Sequence, residues 1–118
     1  GRDYPWGEKW EDGICNNSAA GLRETSAVGL FPRSRTDGGL EDMAGNVWEW
    51  VSDWYSETYY AETPARDPQG PPGALEKVLR GGGWASRALD LRTAGRSFDL
   101  TFHNGTDIGF RCAADYQP

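Results

Sequence analysis

The chain has 118 residues, 37% of them hydrophobic, with 16 glycines and a net charge of −6 at pH 7. This length suits one domain, and the low apolar fraction predicts a small core with much irregular backbone. An acidic chain is poorly suited to binding a phosphate backbone, so nucleic acid is excluded as a partner, and no apolar run is long enough to span a bilayer.

The predicted elements are short and widely spaced. Residues 1–39 are predicted to be loops. From Val47 onward the chain alternates, with Trp48, Trp50, Ser52 and Trp54 on one side, which predicts a strand with a tryptophan face. Residues 56–75 are rich in proline and glycine and predict a loop. Residues 77–80 predict a second strand and residues 108–114 a closing strand. The many aromatic residues predict an aromatic-rich core.

Two cysteines, Cys15 and Cys112, leave several alternatives open. They are either reduced, partly buried thiols or a single disulfide, which would need an oxidising compartment or a thermophilic source. Two cysteines and the single histidine, His103, cannot form a closed zinc site. A nucleophilic pair of Cys112 with His103 is also conceivable, although nothing in the sequence places the two together.

Four sequence blocks follow one another along the chain. They are residues 4–7 (YPWG), 42–50 (DMAGNVWEW), 79–84 (LRGGGW) and 109–113 (GFRCA). This ordered set closely resembles the formylglycine-generating-enzyme, or sulfatase-modifying factor, family, which has a C-type-lectin-like fold. The resemblance implies an irregular, loop-rich α+β fold with short antiparallel strands and little helix in this portion.

The resemblance covers nearly the whole chain, and it implies that part of the fold is missing. Residues 1–118 would be the C-terminal portion of a single domain, whose first strand and two helices precede the Tyr4–Gly7 block. The chain does not begin with methionine and shows no signal-peptide pattern, so we expect it to begin within a longer polypeptide or after processing. The missing part of the fold is therefore an expected partner.

The resemblance also implies where catalytic residues would lie. The formylglycine-generating enzyme holds copper with two cysteines shortly after a Gly-Gly-Ser motif, and thiolates select Cu(I). The corresponding residues 84–92 contain no cysteine, so we expect no copper and no catalytic residue here. The alternative is the C-terminal half of a metal- and oxygen-dependent enzyme of this family.

A second enzymatic branch of the family makes the carbon–sulfur bond of ergothioneine. Its Arg-x-Trp-Asp motif is nearly matched by Arg96-Ser97-Phe98-Asp99. That branch binds iron through histidines of a separate N-terminal domain, whereas this chain has only His103. A surface ion pair between Arg96 and Asp99 is the simpler interpretation.

Residues 85–107, here called the 85–107 segment, contain no Lys, Glu, Gln, Met or Trp. No codon ending in cytosine encodes these residue types. The segment therefore resembles the variable region of proteins diversified by retroelements, many of which share this fold, although a short window can also lack them by chance. We predict a non-catalytic module that binds a protein or other macromolecular ligand. Extracellular or cell-surface display suits such a role, and a domain fused to a kinase or a secretion machine is a further hypothesis.

The predicted ligand contacts within this segment are both apolar and polar. They are Ser86, Arg87, Leu89, Asp90, Phe98, Asp99, Leu100, Phe102, His103, Asn104 and Asp107. Leu91, Arg92, Ala94 and Arg96 match a Leu-Arg-x-Ala-x-Arg frame of the family, and we expect them to belong to the scaffold.

The family's calcium-site pattern maps onto Asp42, Gly45, Val47 and Glu49. Two carboxylates and two backbone carbonyls suit a hard cation. The alternative is that Asp42 caps a turn and Glu49 pairs with an arginine such as Arg92 or Arg96. The family's other calcium site would use Asn16 or Asn17 with residues 20–22, but Ala20 replaces an expected acidic ligand.

Overall fold

The computed structural model describes residues 1–56 and 75–116. Their regular elements are the strands β1 (Trp48–Trp54), β2 (Glu76–Arg80), β3 (Ser97–Leu100) and β4 (Ile108–Gly109), and the 3-10 helices Ser18–Ala20, Pro32–Ser34 and Ala88–Leu91. The described residues contain no α-helix, and the connections that lie within them are loops. The loop-rich architecture with little helix is therefore confirmed, whereas most of the predicted loop at 56–75 lies outside the described residues.

The strands form one sheet in the order β3-β2-β1-β4. β1 and β2 run antiparallel with Trp50 opposite Leu79, and β2 and β3 run antiparallel with Val78 opposite Phe98. β4 is parallel to β1 and pairs Ile108 with Trp48. The strand predicted from Val47 onward and the strand predicted at 77–80 are confirmed, with β1 beginning one residue later and β2 one residue earlier than predicted.

The pairing of β1 with β2 is interrupted by a register shift between Trp50 and Trp54. Such an irregularity re-aims side chains along a strand. Trp50, Val51 and Ser52 all line one groove beside this irregularity. The continuous tryptophan face along β1 stays a prediction.

The predicted closing strand ends early. Only Ile108 and Gly109 are in a strand, and residues 110–116 are exposed and irregular. A strand persists when its backbone groups pair with a neighbour. β1 supplies pairing to Ile108 and Gly109 alone, and no other described strand lies beside residues 110–114. The prediction for 110–114 is wrong for this reason.

The core is small and its fully buried residues are not aromatic. Ile14, Cys15, Ala44 and Leu91 form a buried cluster, against which Tyr4, Trp6 and Trp10 pack. The rings of Tyr4 and Trp6 are parallel with centroids 5.3 Å apart. All six tryptophans are only half-buried, so the prediction of an aromatic-rich core is wrong for the innermost layer. Much aromatic surface stays in contact with solvent.

Both cysteines are free thiols, with Cys15 buried and Cys112 exposed. Burial, with a smaller contribution from the charge of Asp42, raises the pKa of the Cys15 thiol to about 12. Across residues 1–56 and 75–116, no helix is long and apolar enough to cross a membrane.

Candidate ligand-binding site

Both ends of the 85–107 segment are fixed to the scaffold. At its start, the backbone N–H of Trp84 donates to the Asn46 carbonyl at 2.9 Å, and the indole N–H of Trp84 donates to the Thr106 carbonyl at 3.1 Å. At its end, the Asp107 carbonyl accepts from the backbone N–H of Trp48 at 2.6 Å. The chain therefore leaves and re-enters the scaffold beside the first residue of β1.

Gly83 brings these two ends together. A Cβ atom at Gly83 would lie 3.0 Å from the Asp107 side chain and 3.3 Å from the Trp48 ring. Neither neighbour is free to move, because Trp48 begins β1 and Asp107 is bonded to it. A side chain at this position would therefore push the two ends of the segment apart.

Part of the segment belongs to the scaffold itself. Leu91 is 1% exposed in the main buried cluster. Ser86 is 9% exposed; its hydroxyl accepts from the Gly83 N–H at 2.9 Å, and its carbonyl accepts from the Ser18 N–H at 3.0 Å. Ser86, which we expected to contact a ligand, therefore lies outside the exposed face of the segment.

A first group of predicted contact residues surrounds the 3-10 helix Ala88–Leu91. The Asp90 carboxylate accepts from the backbone N–H of Arg87 at 3.3 Å and lies 3.6 Å from the Arg87 guanidinium. Leu89, between them, is 60% exposed. The group therefore presents an apolar side chain next to an ion pair.

A second group lies on β3 and in the turn that follows it. Phe98 stacks on Tyr55 with ring centroids 3.8 Å apart, and Phe102 is 75% exposed with its ring edge-on to His103. His103 Nδ1 lies 2.6 Å from a carboxylate oxygen of Asp99. Tyr55 was not predicted for this site, because it lies far from β3 in the sequence.

The remaining predicted residues of this group are placed at its edges. Leu100 is half-buried, and its carbonyl accepts from the His103 N–H at 3.0 Å. Asn104 is exposed and Asp107 is half-buried. Within the described parts of the chain, no hydrogen bond, ion pair or ring contact joins the Leu89 group to the Phe98 group.

Two pairings considered from the sequence are replaced by others. The carboxylate of Asp99 pairs with His103, while the Arg96 guanidinium lies 5.3 Å from the centre of the Tyr55 ring. The predicted Arg96–Asp99 ion pair is therefore corrected. The second pairing was that of Cys112 with His103. His103 instead pairs with Asp99, and Cys112 is a free, exposed thiol in the irregular residues after β4.

The predicted calcium ligands Asp42 and Glu49 both contact Arg111. The guanidinium of Arg111 donates to both carboxylate oxygens of Glu49, at 2.8 and 2.7 Å, and to the Asp42 carbonyl at 3.0 Å. The hydrogen bond to Glu49 raises the pKa of Arg111, although burial opposes it. The alternative that Glu49 pairs with an arginine is therefore confirmed, although the arginine is Arg111 and not Arg92 or Arg96.

The donor set still has the chemistry of a hard-cation site. Asp42 is 8% exposed, and its carboxylate accepts from the Gly29 N–H at 2.8 Å. Asp42 and Gly45 have positive φ, at 54° and 81°. Their carboxylate and carbonyl oxygens, with those of Val47 and Glu49, suit calcium. An ion at Glu49 must share that carboxylate with Arg111, and calcium here stays a prediction.

Two buried amides mark the region of the family's other calcium site. Asn16 and Asn17 are each 1% exposed, and their side-chain oxygens have no hydrogen-bond partner among the described residues. The Asn16 amide nitrogen donates to the Glu24 carbonyl at 2.9 Å, which fixes its orientation. Buried oxygens without partners are costly, so these atoms suit a water molecule or a cation.

The chain matches one known protein family over almost its whole length. A family model described as "Sulfatase-modifying factor enzyme 1-like domain" matches residues 1–116. The chain belongs to this family. It is 39% identical over 132 residues to the formylglycine-generating enzyme of Streptomyces coelicolor, covering 98% of this chain and 41% of that protein. It is 42% identical over 118 residues to the protein named serine/threonine-protein kinase Pkn1 of Chlamydia trachomatis, covering 98% of this chain and 18% of that protein.

A solved structure of the same architecture belongs to a protein named variable protein 1 of Treponema denticola. It superposes with a TM-score of 0.74 at 26% identity, and the match covers 93% of this chain and 40% of that one. The chain thus spans about two-fifths of the Streptomyces enzyme and of this structure. In this member of the sulfatase-modifying factor family, residues 84–92 carry no thiol and the described cysteines are Cys15 and Cys112.

Proposed function

We propose that this chain is a non-catalytic ligand-binding module, which presents the exposed side chains of the 85–107 segment to a protein or other macromolecule. One observation carries the proposal. The segment is held at both ends by hydrogen bonds to Trp84 and Trp48, while Leu89 and Phe102 between those ends are 60% and 75% exposed. Side chains can change at such positions without disturbing the core.

The chemistry of the exposed face suits macromolecular recognition. Phe98 and Phe102 offer rigid apolar area, and aromatic side chains of this kind often dominate the energy of an interface. The Asp99–His103 and Arg87–Asp90 pairs beside them offer directional hydrogen bonds. Such a mixture is typical of binding surfaces and does not assemble a nucleophile with a base.

The similarity to a protein named as variable supports diversification of this face. The absence of five residue types from the 85–107 segment has the same implication, because those are the types that codons ending in cytosine do not encode. We therefore infer that the exposed positions of the segment differ between copies of the gene, and that the ligand changes with them.

An enzymatic role is the alternative, and the 39% identity to a formylglycine-generating enzyme favours it. Residues 84–92 oppose it, because they have no thiolate for copper, and Ser86 among them is buried and hydrogen-bonded to Gly83. Elemental analysis of the purified chain, alone and with the remainder of its fold, distinguishes the two roles. We expect no bound copper, and stoichiometric copper would favour the enzyme.

A displayed library tests the binding role. Leu89, Phe98, Phe102 and His103 are randomised with codons ending in cytosine, and binders are selected against hen egg lysozyme as a test ligand. A matched control library randomises the buried Ser86 and Leu91. We expect the first library to yield binders whose melting temperatures stay within about 4 °C of the parent, because surface substitutions are nearly neutral.

The control library is expected to lose the folded state, because its positions are buried and bonded to the scaffold. The proposal fails if the exposed-position library unfolds as often as the control library. It also fails if stable variants of the exposed positions never include a binder.

A further inference from the structure

An asparagine followed by a glycine lies in the exposed connection between β3 and β4. The sequence has four asparagines, Asn16, Asn17, Asn46 and Asn104, and only Asn104 precedes a glycine. In such a pair the backbone nitrogen of the second residue can attack the side-chain carbonyl carbon of the asparagine. Glycine makes this attack easiest, because it has no Cβ to obstruct its nitrogen and its backbone adopts the required geometry freely.

Both reacting groups of this pair are accessible in the structure. Asn104 and Gly105 are exposed and lie outside the regular elements. Within residues 1–56 and 75–116, neither the Asn104 side chain nor the backbone N–H of Gly105 makes a hydrogen bond. Gly105 is bonded through its carbonyl instead, which accepts from the Ile108 N–H at 3.3 Å. No competing hydrogen bond therefore holds the attacking nitrogen or the side-chain amide.

The other three asparagines are protected by the fold. Asn17 is 1% exposed, and the nitrogen of the next residue, Ser18, donates to the Ser86 carbonyl at 3.0 Å. Serine is small, so it is this hydrogen bond and the burial of Asn17 that prevent attack there. Asn16 is equally buried, and the side-chain oxygen of Asn46 accepts from a backbone N–H at 2.9 Å. The structure therefore leaves Asn104 as the reactive asparagine of the four.

We propose that Asn104 is a site of spontaneous deamidation, which adds a carboxylate to the exposed face of the 85–107 segment. The Gly105 nitrogen forms a bond to the side-chain carbonyl carbon of Asn104. The side-chain nitrogen leaves as ammonia and takes the proton that the Gly105 nitrogen gives up. Water then opens the cyclic succinimide at either carbonyl and produces aspartate or isoaspartate. The reaction does not rest on the proposed binding function, because it requires only the folded chain and water.

The product is expected to change the exposed face while the scaffold stays intact. The new carboxylate adds a negative charge to a chain whose net charge is already −6. Isoaspartate also lengthens the main chain by one methylene group. Beyond this point the Thr106 carbonyl accepts from the Trp84 indole N–H at 3.1 Å, and the Asp107 carbonyl accepts from the Trp48 N–H at 2.6 Å. We therefore expect the exposed residues 101–105 to absorb the added length.

Incubation of the chain at mildly alkaline pH, in native buffer and in guanidinium chloride, tests this inference. Peptide mapping by mass spectrometry follows the conversion of each asparagine, and anion-exchange chromatography detects the added charge. We expect the ratio of the Asn104 rate to the Asn17 rate to be at least about tenfold larger in native buffer than in denaturant, because the fold protects Asn17 alone. Charge is the suitable signal, since Asp12-Gly13 and Asp37-Gly38 isomerise through the same kind of ring without gaining any.

Two variants test the named atoms. Gly105→Ala places a Cβ beside the attacking nitrogen, and we expect conversion of Asn104 to slow by at least about tenfold. The fold has room for this alanine, because its Cβ would lie 3.3 Å from a carboxylate oxygen of Asp107 and the φ of Gly105 is not positive. Asn104→Gln keeps an exposed amide but requires a larger ring, so we expect no added charge. Thr106→Ala is the matched control, since it leaves the reacting pair unchanged and should convert like the parent.

Thermal denaturation establishes that each variant is folded before it is incubated. The inference is overturned if the folded chain gains no charge, if the ratio of the two rates is the same in native buffer and in denaturant, or if folded Gly105→Ala converts as fast as the parent. None of these results bears on whether the 85–107 segment binds a macromolecule, so the two proposals fail separately.

Discussion

Arg111 donates two parallel hydrogen bonds to the carboxylate of Glu49, from Nε at 2.8 Å and from Nη2 at 2.7 Å, although the two residues are 62 positions apart in the sequence. The pair connects the irregular residues after β4 to the central strand β1. The Glu49 side chain is 15% exposed and that of Arg111 is 36% exposed, so water screens the pair only in part. A planar guanidinium is needed for this geometry, and an ammonium group cannot reproduce it.

Replacing Arg111 by lysine should therefore destabilise the chain. We expect Arg111→Lys to lower the free energy of unfolding by about 1–2 kcal/mol, because one of two charged hydrogen bonds to a half-buried carboxylate is lost. Urea denaturation measures the change, with Arg87→Lys as the matched control, since the Arg87 side chain is 78% exposed. Equal stability of the two variants would show that the pair contributes little.

Calcium binding at Asp42 and Glu49 is testable by thermal denaturation. We expect the melting temperature to rise with the logarithm of the calcium concentration, as it does for any ligand that binds the folded state alone. Asp42→Asn and Glu49→Gln should each remove this dependence. Magnesium serves as the control, because it requires a smaller and more rigid octahedral site. A melting temperature that calcium leaves unchanged would contradict the predicted site.

The sequence predicted the strands β1 and β2 because their apolar patterns are local. It could not show the end of β4, since that depends on whether a neighbouring strand is present to pair with residues 110–114. The partner of Glu49 was likewise hidden, because nothing local distinguishes Arg111 from Arg92 or Arg96. Ser86 was predicted to contact the ligand, but its hydroxyl accepts a hydrogen bond from the Gly83 N–H in a buried turn, which the sequence alone does not show.

The buried thiol of Cys15 makes stability depend on alkaline pH. Its pKa is raised from 9.0 to about 12 by burial and by the charge of Asp42. Above its ordinary pKa the unfolded chain loses this proton while the folded chain keeps it, so unfolding becomes more favourable as pH rises. The contribution is fully present below pH 9 and is lost between 9 and about 12.

We expect ionisation of the Cys15 thiol in the unfolded chain to lower the free energy of unfolding by up to about 1.4 kcal/mol for each unit by which pH rises within that window. Urea denaturation at a series of pH values checks this slope. Cys15→Ala should remove this component of the slope, whereas Cys112→Ala, at the exposed cysteine, should keep it. The same alkaline slope in the parent and in Cys15→Ala would show that the thiol is not the cause.

Sequencing the gene and its flanks in independent isolates tests the proposed variable binding face most directly. The proposal predicts that substitutions concentrate at the exposed Leu89, Phe98, Phe102 and His103, and that a near-repeat of the codons for residues 85–107 lies close to a reverse-transcriptase gene. Leu91 and Ser86, which are 1% and 9% exposed, should stay unchanged. Identical codons in every isolate, with no repeat nearby, would contradict the proposal.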